Sequence, residues 1–204
     1  MRYFWIGSNS DPLKFESTEL FEKQRICRKC GMPFDGDAID IRLSTLPKGE
    51  AFAWTLSTSI CALHRSFCDR LGFPDTFSDH SIGRVFNSKG EQVSDYVTVN
   101  AYERCFLRGS WAPRIGPSCS LCDRFFAYTP QGGPQYILEK DIGKNKNIVF
   151  LQGTTFLVSS DLIEKTDLRK FKSIVIEDAS VQVLETARDG FANDAYPKIS
   201  FPRA

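Results

Sequence analysis

Apolar and polar positions alternate with a period of two in several short segments of the chain, the pattern of half-buried β-strands. Residues 39–43, Ile-Asp-Ile-Arg-Leu, are the clearest case. Asn87–Gly90 and Gln131–Pro134 have the composition of turns. Together these patterns predict strands at residues 2–6, 39–43, 93–99, 147–151, 155–158, 173–177 and 181–184.

One segment has helical spacing instead. Over Ser57–Leu71, a single stripe contains Ile60, Leu63, Phe67 and Leu71, and Gly72 is placed to end the helix. Shorter helical segments are predicted at residues 17–21 and at residues 160–168, the latter capped by Ser160 and Asp161, whereas residues 111–117 and 189–204 are predicted to be irregular.

These elements predict an α+β fold with a mixed or antiparallel sheet and few helices. The chain has 204 residues, 42% of them hydrophobic, which is enough for one substantial core. No linker or low-complexity tract interrupts it, and residues 147–185 form its most regular α/β segment. We therefore expect residues 1–204 to form a single domain.

Two short cysteine pairs are the strongest chemical signal. Cys27 and Cys30 form the first CxxC unit, and Cys119 and Cys122 form the second, with 88 residues between the units. A CxxC turn lets two sulfurs approach one ion at about 2.3 Å, and four thiolates complete a structural zinc site. The sequence thus predicts a pair of zinc knuckles at residues 27–30 and 119–122 holding one Zn²⁺, with no ligand position left open for a substrate.

Energetics favour this metal site despite the long separation. Closing a loop of this length costs roughly 4 kcal/mol, whereas structural zinc contributes about 10 to 16 kcal/mol in small peptides. Two other interpretations stay open, namely unrelated buried thiols and disulfides. The odd total of seven cysteines and the lack of an export signal disfavour disulfides and favour a cytoplasmic protein.

Charge and hydropathy exclude some partners. Lys and Arg number 26 and Asp and Glu 25, so the net charge is +1 and no overall field attracts nucleic acid or anionic lipid. No segment approaches the ~20 apolar residues of a membrane span. Neither a membrane nor a nucleic acid is therefore the expected partner.

Three other clusters invite functional hypotheses. Cys61, His64 and Cys68 share one face of the predicted helix and could bind a metal or form a catalytic thiol–imidazole pair. We expect them instead to pack against the core. The other two clusters have the composition of solvated loops and consist of Asp75, Asp79 and His80, and of Lys140, Lys144 and Lys146. We expect no enzymatic activity and name no catalytic residue.

Several segments together resemble the double-CXXCG-motif family of bacterial immunity proteins. They are the two cysteine pairs, the opening Met1-Arg-Tyr-Phe-Trp5, and the closing segments 156–163 and 171–177. Residues 82–86 and 95–100 are also similar in pattern to immunity proteins of polymorphic toxin systems.

The resemblance implies a cytoplasmic antidote that binds a cognate toxin protein and blocks it, with Cys27, Cys30, Cys119 and Cys122 as the metal ligands. Candidate contact segments are Phe73–His80 and Trp111–Pro117, whose aromatic and arginine residues are enriched at binding hot spots. The alternative is a zinc-ribbon protein that binds nucleic acid or has a regulatory role, because paired CxxC units also occur in such modules.

Overall fold

A computed structural model of the chain describes fourteen segments, and the structural statements below concern these residues: 2–8, 27–29, 38–43, 52–54, 61–72, 80–101, 105–109, 111–115, 117–121, 128–131, 134–142, 146–151, 156–170 and 174–186.

The described residues form a sheet-dominated α+β structure with two helices, as the sequence predicted. The strands are β1 (Arg2–Ser8), β2 (Ile41–Arg42), β3 (Phe52–Trp54), β4 (Cys61–His64), β5 (His80–Phe86), β6 (Gln92–Ala101), β7 (Trp111–Ile115), β8 (Tyr128–Gln131), β9 (Tyr136–Leu138), β10 (Ile148–Phe150), β11 (Phe156–Ser159) and β12 (Ile174–Leu184). The helices are α1 (Arg65–Leu71) and α2 (Ser160–Thr166).

The first sheet has the strand order β10-β11-β1-β12-β9, antiparallel except for the parallel pair β12–β9. A further segment joins its two outer strands. The amide of Cys105 donates to the carbonyl of Phe150 at 2.7 Å, and Arg108 and Tyr136 exchange two backbone hydrogen bonds of 2.8 and 3.0 Å. Hydrogen bonding therefore continues from β10 through residues 105–108 to β9, so the sheet closes into a barrel-like ring. Closure pairs the outer strands, which would otherwise be exposed edges.

The two faces of this ring follow the period of two. In β11, Leu157 joins an inner cluster, whereas Phe156 and Val158 join an outer one. Each strand of the ring contributes to the inner cluster, which consists of Tyr3, Cys105, Leu107, Ile137, Val149, Leu151, Leu157 and Val181. Alternation along the chain thus builds two separate apolar layers from one sheet.

The second sheet has the strand order β2-β5-β6-β4-β3 and packs against the outer cluster. Leu63 and Val97 from this sheet, Phe67 from α1, Ile163 from α2 and Val158 from the first sheet belong to that one core. The opposite side of the second sheet carries another apolar cluster, formed by Ile39, Ile41, Leu43, Ala62, Val85 and Tyr96.

The predicted helix over Ser57–Leu71 is wrong at residues 61–64, the first part of it that the structure describes. Residues 61–64 form β4, which pairs with both β3 and β6, and only Arg65–Leu71 is helical. The end of the helix is as predicted, because Gly72 adopts the left-handed conformation with φ of 75°. Pairing with two neighbouring strands gives residues 61–64 hydrogen bonds that outweigh their helical spacing.

Most predicted strands are confirmed, with several corrections. Residues 111–115, predicted to be a loop, form β7 and pair with β8, and the two strands predicted at 173–177 and 181–184 are one continuous β12. The cap of α2 is Ser159 rather than Ser160. The strands β3, β5, β8 and β9 were not predicted, and the predictions for residues 17–21, 75–79 and 189–204 lie outside the described residues.

Within the described part of the chain, none of the helices has the length and apolar character needed to cross a bilayer.

Candidate metal centre

The two cysteine motifs have the same local form. Cys27 and Cys119 are each 1% exposed, and each is followed by a two-residue turn whose side chains are exposed. These turns are Arg28–Lys29 in the first motif and Ser120–Leu121 in the second. A buried cysteine followed by an exposed two-residue turn is the geometry that brings the second cysteine of a CxxC unit back toward the first.

The fold brings these two motifs together. The sulfur atoms of Cys27 and Cys119 lie 3.7 Å apart, although 92 positions separate the residues. A disulfide would require about 2.05 Å, so these two sulfurs are not covalently joined. Four sulfurs at about 2.3 Å from one ion have tetrahedral edges of about 3.8 Å. The observed separation fits that edge, and it also fits a hydrogen bond between two thiols.

A second contact joins the same two turns. The ammonium group of Lys29 donates to the hydroxyl of Ser120 at 2.5 Å. Zn²⁺ with four thiolates would carry a net charge of −2, and a lysine beside such a centre would partly offset that charge. Lys29 therefore suits both the mechanical link and the electrostatics of a tetrathiolate site.

The donor set fits zinc as far as the described residues extend. Two of the four sequence-predicted ligands, Cys27 and Cys119, are buried side by side, and soft thiolates in a tetrahedral arrangement select zinc or iron. The other two, Cys30 and Cys122, lie outside the described residues, and no group of three potential ligands occurs within them. A bound Zn²⁺ would supply a closed structural link between residues 27–30 and 119–122.

The predicted cluster of Cys61, His64 and Cys68 is not on one helix. Cys61 and His64 belong to β4, whereas Cys68 is on α1 and packs in the core, 5% exposed. His64 caps α1, because its Nδ1 accepts from the amide of Ser66 at 3.2 Å and lies 2.7 Å from the Ser66 hydroxyl. The Nδ1 lone pair is thereby directed at the helix terminus.

Tyr96 lies against the other side of His64. The two rings make an edge-to-face contact with centroids 5.1 Å apart. Burial, with a smaller contribution from Asp95, raises the pKa of Tyr96 to about 12. The surroundings of His64 are those of a structural histidine at the border of the core.

The two remaining predicted clusters are only partly described. Asp75, Asp79 and Lys144 lie outside the described residues, while Lys140 and Lys146 are exposed. His80 was predicted to lie in a loop but begins β5, where it pairs with Ala101. The carbonyl of Lys146 accepts a 2.5 Å hydrogen bond from the Tyr3 hydroxyl. The described interaction of the lysine cluster is therefore this backbone hydrogen bond to Tyr3, which lies inside the barrel-like ring.

The buried ion pair between Arg108 and Asp141 was not predicted from the sequence. Arg108, 5% exposed, donates from Nη2 to the Asp141 carboxylate at 3.1 Å, and the thiol of Cys105 contacts the Asp141 carbonyl at 2.5 Å. These contacts fix residues 105–108 against the turn between β9 and β10, where the ring closes. No local pattern around Arg108 distinguishes it from a surface arginine, so only the closed sheet reveals it.

Comparisons of the chain with protein-family models and with curated protein sequences find no match. The resemblance to double-CXXCG immunity proteins therefore rests on the cysteine motifs and the sequence pattern alone.

Proposed function

We propose that the chain is a non-catalytic, cytoplasmic immunity protein that binds and neutralises a cognate bacterial toxin, with one structural Zn²⁺ stapling its fold. The observation that carries the proposal is the buried approach of Cys27 and Cys119, with sulfurs 3.7 Å apart across 92 positions. A shared four-thiolate site requires two CxxC units that are remote in sequence to lie close together in space.

A zinc staple suits an inhibitor because binding a partner costs conformational entropy. Side chains and loops that are already fixed lose less freedom on association, so more of the contact energy appears as affinity. The proposed clamp, in which one Zn²⁺ would join residues 27–30 to residues 119–122, would fix two exposed turns relative to each other. The hydrogen bond from Lys29 to Ser120 reinforces that arrangement. A protein that acts by occlusion needs such a rigid surface and no reactive group.

The environment of the candidate catalytic histidine supports the same proposal. His64 directs Nδ1 at Ser66 and packs its ring against Tyr96. A general base needs its lone pair directed at a substrate or a nucleophile in an accessible site. The capping of α1 accounts for the position of His64 without any catalytic role.

The decisive experiment is coexpression of the chain with each neighbouring gene product that arrests host growth when it is expressed alone. We expect host growth to be rescued and a stable complex to copurify. Cys27→Ser should weaken the rescue, because the clamp would open, whereas Cys68→Ala should retain it, because Cys68 belongs to the core and not to the clamp. Growth arrest and the absence of a complex with the wild-type chain would refute the proposed function.

A further inference from the structure

The exposed turns of the two knuckles form one continuous surface, here called the clamp surface and defined as Arg28, Lys29, Ser120 and Leu121. The four residues are exposed, and the hydrogen bond from Lys29 to Ser120 joins its two halves. Each half follows a buried cysteine directly, so the position of the surface is set by the clamp beneath it.

Leu121 is the most exposed large apolar side chain of the described residues. It is 61% exposed, compared with 39% for Ile82 and 39% for Val175. A single exposed leucine is ordinary on a protein surface. This one lies at the tip of a turn anchored by a buried sulfur, and an apolar side chain held in one place can enter a partner's pocket at low entropic cost.

Arg28 and Lys29 give the same surface a positive charge. Within the described part of the chain, the ion pairs are Arg84–Asp40 and Arg108–Asp141, so neither cation of the clamp surface is paired with a described carboxylate. The whole chain carries a net charge of only +1. The two cations are thus a local feature, available to an acidic partner.

We infer that the clamp surface is the docking site for an acidic protein surface, with Leu121 entering a small apolar pocket and Arg28 and Lys29 pairing with carboxylates around it. The inference rests on the proposed function, in which that partner is the toxin. A nucleic acid is the less suitable partner for two reasons. Binding its phosphates needs a longer stripe of basic residues than two cations, and its phosphate backbone has no apolar pocket for a leucine.

The test uses titration calorimetry, at low and at high salt, to measure binding of the purified growth-arresting protein defined by the coexpression experiment. Two variants alter the clamp surface: the double charge reversal R28E/K29E and the truncation Leu121→Ala. Their matched controls are Lys89→Glu, an exposed lysine in the turn between β5 and β6, and Ile82→Ala, another partly exposed apolar residue. Zinc content and melting temperature are measured for every variant.

We expect each clamp-surface variant to bind at least tenfold more weakly than the wild type, with both controls within about twofold of it. Added salt should weaken the wild-type complex and have less effect on R28E/K29E, because opposite charges across an interface are screened. Leu121→Ala should keep the wild-type zinc content and melting temperature. R28E/K29E should keep zinc, because the charge of an exposed lysine contributes far less than the metal–thiolate bonds, and should melt at a slightly lower temperature because the Lys29–Ser120 hydrogen bond is lost.

Three outcomes would overturn the inference. If the wild type binds and both clamp-surface variants match it, the docking site lies elsewhere while the proposed function stands. If R28E/K29E loses zinc, the cations serve the metal centre. If the wild type binds a 25-base-pair DNA duplex but not the protein, and R28E/K29E abolishes the DNA binding, the surface recognises phosphate. The proposed function then fails as well.

Discussion

Gly83 lies directly against the backbone of Ile39, in the space where any other residue would place its β-carbon. A β-carbon on Gly83 would overlap the carbonyl of Ile39 and the hydroxyl of Thr98. That hydroxyl donates to the same carbonyl at 2.5 Å, and both Thr98 and Ile39 are fully buried. The glycine is therefore required for close packing of residues 39–41 onto β5 and β6.

Gly83→Ala should destabilise the protein by about 1 to 3 kcal/mol or more, because the obstacle is backbone and cannot rotate away. Urea unfolding followed by circular dichroism measures the change. Ile82→Val, at the neighbouring partly exposed position, is the control and should stay within about 0.5 kcal/mol of the wild type. An alanine variant as stable as this control would show that residues 39–41 can move aside.

Zinc should be present at about one ion per chain and should depend on both knuckles. Cys27→Ser and Cys119→Ser should each lose the metal and melt at a lower temperature, because the clamp links remote segments and its binding energy contributes to folding. Elemental analysis and thermal melting are the measurements.

Cys68→Ala is the control for that experiment, since Cys68 is also buried but lies in the core between α1 and the sheets. It should keep zinc while losing some stability to a small cavity. Retention of stoichiometric zinc by either knuckle variant would contradict a shared site, as would a metal-free wild-type protein purified without chelator.

Tyr3 should make the stability fall at alkaline pH. Burial inside the barrel, with smaller contributions from Cys105 and Asp161, raises the pKa of Tyr3 from 10.0 to about 12. Below about pH 10 its hydroxyl is protonated in both the folded and the unfolded chain. Between about pH 10 and 12 the unfolded chain loses the proton first, so the free energy of unfolding decreases as the pH rises.

Tyr3→Phe isolates this effect. At pH 8 the variant should be less stable by about 1 kcal/mol, because the hydrogen bond to the Lys146 carbonyl is lost. The difference from the wild type should shrink between pH 10 and 11, since the variant has no hydroxyl to ionise. Urea unfolding at several pH values tests this, and a constant difference across that range would contradict it.

Ser159 should stabilise α2 through its cap. Its hydroxyl oxygen accepts from the amide of Leu162 at 3.2 Å, whereas the hydroxyl of the neighbouring Ser160 lies next to Asp161. Ser159→Ala should therefore cost about 1 kcal/mol. Ser160→Ala is the matched control, with a change within about 0.5 kcal/mol. Equal losses at both serines would contradict the assigned cap.

Local sequence pattern predicted several of the strands. Residues 39–43 alternate between buried and partly exposed positions, and β1, β6, β10 and β11 lie close to their predicted positions, although every residue of β10 and β11 is buried. It failed at residues 61–64, where the spacing of Leu63 and Phe67 fits a helix but pairing with β3 and β6 makes a strand. It also failed at β7, because Pro113 and its neighbours suggested a loop and the partner strand β8 was not evident.

The sequence by itself determined the alternating strands, the left-handed end of α1 at Gly72 and the identity of the proposed metal ligands, because each depends on residues close together in the chain. Tertiary structure determined the features that depend on contacts between residues far apart in the chain. It closed the first sheet through residues 105–108, buried Arg108 against Asp141 and placed Cys27 beside Cys119. These contacts join residues 28 to 92 positions apart, and spacing along a chain contains no information about which distant segments will share a core.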